Sequence, residues 1–270
     1  MSERKTPSVA ADRLTPAEID ALKQSERRGR DQGAATYLHN VRATMGGYRY
    51  RAEELVILHY LKPHPGERVL EAGAGVGRQA LRVAPRVGRL VCVDFSPKAL
   101  EVLAGEARRR GLANVETMTA DLCDLPPSLA DFDRVYSVAV LPHIPSHAQR
   151  LAAMRGFQRV LRPGGACLVE VPCHGPRARV PKEGFLDGGT YQFLFTPQEL
   201  RELLEQAGFV DVSIHGMILL PGRLTRHFPE AFAPLELWCS LVPALAGGAR
   251  RLIATGRRPA GARVPPASAA

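Results

Sequence analysis

Short apolar runs alternate with amphipathic stretches along most of the chain, and this alternation predicts its elements. Arg68-Val69-Leu70-Glu71, 89–94, 114–122, 132–141, 166–171 and 209–215 read as strands. Between them lie helix signals: Ser96-Pro97 opens a helix that ends near Gly111, Ser146 caps one through about Leu161, and Thr196-Pro197-Gln198-Glu199 is a capping box for a helix to Gln206. Upstream, Thr15-Pro16-Ala17-Glu18 has the same form and predicts a helix to about Arg27, with two more over 34–45 and 50–61 separated by Gly46-Gly47. Residues 227–246 read as mostly helical. Strand and helix in strict alternation predict an α/β fold with a mainly parallel sheet covered on both faces. Residues 173–192 show no periodicity and read as a long loop over a binding site.

Composition narrows the class. With 270 residues and 45% hydrophobic content the chain can bury one substantial core. The formal charge of +9 is unevenly placed: residues 1–30 carry seven basic and five acidic groups, and 237–270 carry five arginines and no acid. The body in between is close to neutral, which argues against nucleic acid as a partner. Five cysteines without metal-ligand spacing fit a reducing cytoplasm and no metal site. No signal sequence is read at Met1-Ser2-Glu3-Arg4-Lys5, and no apolar stretch is long enough for membrane insertion. Oligomeric state is not legible.

The candidate chemistry gathers after the first strand. Glu71 is followed by Gly73, Gly75 and Gly77, a sharp turn in which bare backbone can approach a ligand. A dinucleotide fingerprint places its third glycine at position 78, where this chain has Arg78. Asp94 ends the second strand 21 residues beyond Gly73, where an acid can accept hydrogen bonds from ribose hydroxyls. Asp121 ends the third. Three acids at successive strand ends point to the sheet edge where open α/β folds bind ligands.

Glu71-x-Gly73-x-Gly75-x-Gly77 resembles motif I of the class I S-adenosylmethionine (SAM) dependent methyltransferases, and Leu161-Arg162-Pro163-Gly164-Gly165 before a strand is a second family-like feature. The resemblance covers about residues 35–258. It implies a Rossmann-like seven-stranded sheet, mostly parallel with the last strand antiparallel, helices on both faces and an N-terminal helical lid. The implied organisation is a tail and helix over 1–33, a methyltransferase domain with lid helices over 34–258, and a disordered tail over 259–270; residues 250–259 supply the antiparallel strand at the sheet edge. Implied cofactor contacts are Glu71, Gly73, Ala74, Gly75, Gly77, Asp94, Phe95 beside the adenosine, Asp121 to the adenine amino group, the Leu122 amide to a ring nitrogen, and Val140. The cofactor is then SAM, the product S-adenosyl-L-homocysteine (SAH), and the acceptor a small organic molecule methylated at oxygen, nitrogen or activated carbon.

Tyr37, Tyr48 and Tyr50, with His39, are candidates for the acceptor pocket from the N-terminal helices, and His174 and Tyr191 from the 173–192 loop. His143, just past the fourth strand, is the candidate base, since its ordinary pKa suits proton removal near neutrality. Cys173 resembles the nucleophile of cytosine-5 methylases, without their partner motifs. Two readings of other classes stand beside the methyltransferase: an NAD(P)-dependent Rossmann oxidoreductase, against which Arg78 and Glu71 argue, and a SAM-binding protein without turnover.

Overall fold

A computed structural model describes residues 14–261 apart from 177, 179, 186–189, 221–224 and 226–228. The terminal segments 1–13 and 262–270 lie outside the described residues. Seven strands form one sheet in the order β3-β2-β1-β4-β5-β9-β8. They are β1 (Arg68–Ala72), β2 (Arg89–Asp94), β3 (Val115–Thr119), β4 (Phe132–Val138), β5 (Leu161–Pro172), β8 (Val210–Met217) and β9 (Arg251–Arg257). β3, β2, β1, β4 and β5 pair in parallel, whereas β9 runs antiparallel to both β5 and β8. The antiparallel strand is therefore one place in from the edge that the sequence reading gave it, and β8 closes the sheet.

Helices α3 (Ala80–Val83), α4 (Pro97–Arg109), α5 (His147–Val160), α6 (Pro197–Gln206) and α7 (Pro229–Ser240) connect the strands. The starts of α4, α5 and α6 follow the caps read from sequence. The Ser96 and Ser146 hydroxyls accept from the amides of Ala99 and Gln149, and Thr196 with Glu199 closes a full capping box. Two cores lie on opposite faces of the sheet, one around Phe132, Phe157 and Phe195, the other around Tyr136, Leu103 and Ile57. Successive buried side chains of β4 and β5 join opposite cores, Val135 and Tyr136, Cys167 and Leu168, so each strand feeds both.

Three elements depart from the sequence reading. The two separate N-terminal helices over 15–27 and 34–45 are one, α1 (Pro16–Met45), which runs through position 33; Gly29 and Gly33 face open space and no proline interrupts it. The capping box at its start forms, with Glu18 accepting from the Thr15 amide at 2.8 Å. α2 (Gly47–Leu61) follows the Gly46 break, at φ 77°. Residues 173–192 contain a small hairpin, β6 (Glu183–Phe185) and β7 (Tyr191–Phe193), because Phe185 and Tyr191 pack edge to face across it, a cross-strand contact invisible to periodicity over three-residue strands. Finally, Arg162-Pro163-Gly164-Gly165 belongs to the start of β5, across an irregularity in the β4–β5 register.

Candidate active site

The carboxyl ends of β1, β2 and β4 and the turn after β3 open on one cavity of about 810 Å³, roofed by α1. Of the residues read from sequence, Glu71, Gly73, Ala74, Gly75, Asp94, Phe95, Asp121, Leu122, Val140, His143 and Tyr37 all line it. The crossover topology explains the convergence: each parallel strand ends at the same edge, so acids far apart in sequence meet.

Asp94 organises the floor. One carboxylate oxygen accepts from the Gly75 amide at 2.7 Å and the other from the Ser96 amide at 2.9 Å, tying the glycine turn to the start of α4. Burial pushes its pKa up against the pull of these amides. Glu71 lies deeper, and the Tyr136 hydroxyl donates to it at 2.8 Å. Its burial raises the carboxyl to about 8, so it is largely protonated at neutral pH. Asp121 sits two residues past β3 and is half exposed; it accepts from the Cys123 amide and pairs with Lys23 of α1 at 2.7 Å.

The two inner glycines of the turn have different duties. Gly75, at φ 52°, has nothing within 4 Å of where a Cβ would stand, so its bare face looks into the cavity. Gly77, at φ 87°, does not line the cavity: a Cβ there would fall 2.1 Å from Leu103 Cδ1, so this glycine allows α4 to pack on the turn. The sequence reading placed it against the cofactor, and its place is a packing one.

His143 occupies the short turn after β4. Its Nδ1 lies 2.8 Å from the Tyr191 carbonyl. A carbonyl only accepts, so Nδ1 carries the hydrogen and Nε2 keeps a free lone pair. Burial, then the positive charge of Arg30, lower its pKa below the ordinary imidazole value. Arg150 holds the same turn by donating to the carbonyls of Ile144 and Pro145 at 2.8 and 2.9 Å while lying over the Phe193 ring.

The structure places the other acceptor-pocket candidates elsewhere. Tyr48 is buried and donates to Glu236 of α7. Tyr50 carries the Arg82 guanidinium on its ring. Tyr191 reaches the site through its carbonyl, while its hydroxyl turns to Glu183. His174 is outside the cavity lining, its amide bonded to the Phe195 carbonyl. The His39 side chain lies outside the described residues. Cys173 is buried, which pushes its thiol up to about 11, the opposite of nucleophile activation. The sequence missed the inward face of α1, where Lys23, Arg27, Arg30 and Ala34 line the roof, and Arg78 and Ala139 on the floor. Only Ala34 of these α1 residues is buried, so no apolar stripe announced the contact. Among the described residues no His, Cys, Asp or Glu cluster is arranged to hold a metal, and no helix is long and apolar enough to cross a membrane.

This sheet order, glycine turn and acid-lined edge define a Rossmann-like ligand-binding α/β protein. Residues 69–165 match the family described as methyltransferase domain. It is 33% identical over 149 residues, 53% of this chain and 52% of the relative, to the methyltransferase GfsG of Streptomyces halstedii. It is 42% identical over 78 residues, 29% of this chain and 16% of the relative, to the 23S rRNA (uracil(1939)-C(5))-methyltransferase RlmD of Chromohalobacter salexigens. The chain thus spans about half or less of the length of these two curated relatives. Among solved structures, a DhpI complex with SAH shares the fold at a TM-score of 0.62 and 20% identity, covering 89% of this chain and 98% of that one.

Proposed function

We propose that this chain is an enzyme that binds SAM in the cavity and transfers its methyl group to a small organic acceptor by in-line displacement, with His143 as base. The observation that carries the reading is the convergence of Glu71, Asp94, Asp121 and the bare face of Gly75 on one cavity. These residues fit an adenosyl sulfonium: Asp94 for the ribose, Asp121 and the Leu122 amide for the adenine, the glycine turn for the amino-acid portion. The cofactor supplies a methyl already activated on a sulfonium. The protein's task is then alignment, which can lower a barrier by about 7 to 11 kcal/mol. His143 Nε2 takes the acceptor's proton as the acceptor atom attacks, and the Tyr191 carbonyl keeps the imidazole in the tautomer that can do so.

A cavity partly covered by α1 supports a small acceptor. A second reading, binding of SAM without methyl transfer, is favoured by one observation: the chain is 32% identical over 182 residues to a SAM-dependent Diels-Alderase of Talaromyces variabilis. Incubation with methyl-labelled SAM and a panel of phenols, alcohols, amines and acids separates the two. Label in any product supports transfer, whereas cofactor binding with no label in any of them supports the second reading. The unpaired cysteines suit a reducing compartment, and we place the protein in the cytoplasm.

Titration calorimetry with SAM tests the cofactor assignment. Glu71 is protonated at pH 7, and a cationic ligand beside it favours the carboxylate, so binding releases up to about one proton. The heat should then vary with the ionisation enthalpy of the buffer. Binding of NAD(P) in place of SAM overturns the reading. In the same assay Gly75→Ala keeps the fold, at a backbone cost of about 1 to 2 kcal/mol, and loses SAM affinity. Gly77→Ala instead lowers the melting temperature through its clash with Leu103. Equal affinity losses with unchanged melting would contradict the division of duties.

A further inference from the structure

α7 is apolar on two opposite sides. Its inward side, with Phe232, Ala233 and Leu237, packs into the core around Tyr136 and Ile57. Its outward side carries the same chemistry into solvent. Among the described residues eight large apolar side chains stand exposed, and five of them, Leu235, Trp238, Leu241, Val242 and Leu245, fall within eleven consecutive positions. Leu235 and Trp238 share one face of the helix, and the chain after Ser240, through the turn Pro243–Gly248, supplies the other three.

The polar groups of this stretch turn inward. Between positions 231 and 249 the one charged residue is Glu236, which is fully buried and accepts from the Tyr48 hydroxyl and from the Leu219 amide at 2.7 Å. Ser240 is buried as well, and its hydroxyl donates to the Leu237 carbonyl at 2.7 Å. A helix apolar all round belongs in a buried place, yet this one has solvent on one side.

Area and charge decide what covers the face. Five side chains at about half exposure offer roughly 500 Å², short of the roughly 800 Å² that each partner brings to a stable protein interface. The surroundings are basic. Arg250 follows the turn and is exposed, and Lys62 is exposed two residues beyond Tyr60, whose hydroxyl donates to the Ser240 carbonyl at 2.8 Å. From position 237 to the end of the chain there are five arginines and no acid. A second copy turned face to face would set these cations against each other. An anionic lipid surface complements both features: apolar side chains enter the boundary between headgroups and acyl chains, a tryptophan ring sits at that level, and the cations meet the phosphates.

We propose that the outward face of α7 and the turn after it dock on a bilayer surface bearing anionic lipid headgroups. Such a seat is peripheral and needs no spanning helix. It is independent of the methyl-transfer reading.

Trp238 is the only tryptophan of the chain, so its fluorescence reports on this face alone. The full chain is mixed with vesicles of phosphatidylcholine, and with vesicles in which about a third of the lipid is phosphatidylglycerol, each also prepared with brominated acyl chains. The expected result is a blue shift and quenching by the brominated lipid on the anionic vesicles, with binding to the neutral ones about tenfold or more weaker and added salt reducing the difference. Leu235→Glu and Leu245→Glu, both at exposed positions, should each weaken binding to the anionic vesicles about tenfold or more with the melting temperature unchanged. Arg250→Gln should lessen the preference for them. Absence of shift and quenching with either vesicle overturns the proposal and leaves the face to a partner protein. Equal binding to neutral and anionic vesicles overturns it too, since the basic surroundings would then count for nothing. A blue shift that grows with protein concentration in the absence of lipid overturns it in favour of a second copy. Should a glutamate variant melt early, quenching of the wild-type tryptophan still decides.

Discussion

Asp94→Ala is expected to lower SAH affinity at least 100-fold, measured by titration calorimetry. The carboxylate is the one group that accepts from both the glycine turn, at the Gly75 amide, and the entry to α4, at the Ser96 amide. Hydrogen bonds to a charged acceptor contribute about 1.5 to 3 kcal/mol each. Removing the acid loses two of them, leaves the Gly75 and Ser96 amides without this partner, and takes away the group that would hold the ribose. Because the turn and the ligand depend on the same oxygens, the melting temperature should fall as well. Asp94→Asn, which keeps one acceptor oxygen, should sit between the two. Unchanged SAH affinity in the alanine variant would remove Asp94 from the cofactor site.

The second large effect is expected at His143. His143→Ala should reduce turnover by about 100 to 10,000-fold, the usual contribution of a positioned base, with SAH affinity unchanged because the imidazole stands beyond the adenosyl half of the cavity. The pH profile carries the sign. Burial and Arg30 depress the folded pKa, so the neutral, proton-accepting form already dominates at pH 7, and the rate should be flat there and fall only below the ordinary imidazole value. The same depression means that the stability contributed by the neutral ring is present above about pH 6.5 and is lost as pH drops through the folded pKa. Turnover of the alanine variant equal to wild type at every pH would show that the acceptor needs no base, as a carboxylate nucleophile would not.

The centre of the sheet was legible because β1 and β2 are apolar runs that reach an acid at their ends, and the capped helices because Ser96, Ser146 and Thr196 each precede a helical repeat. Those local signals also placed most of the cavity floor, since parallel topology carries strand ends to one edge. The roof was not legible. α1 is polar on most of its length, and what fixes it on the sheet are single long-range contacts, Lys23 to Asp121 and Ser96 to Asp31 at 2.5 Å, which no spacing along the chain encodes. The aromatic candidates failed for a related reason. Tyr48 and Tyr50 satisfy partners in α7 and α3, because a buried hydroxyl or an open ring face takes whatever neighbour the packing supplies.

Among the described residues, two polar contacts of α1 land beside the proposed adenosyl edge, one on Asp121 and the other on the serine that follows Asp94 by two positions. Under the proposed function an incoming adenine would share the Asp121 carboxylate with the Lys23 ammonium that already holds it. Added salt, which loosens such a half-exposed contact, should then quicken cofactor exchange even where affinity barely moves.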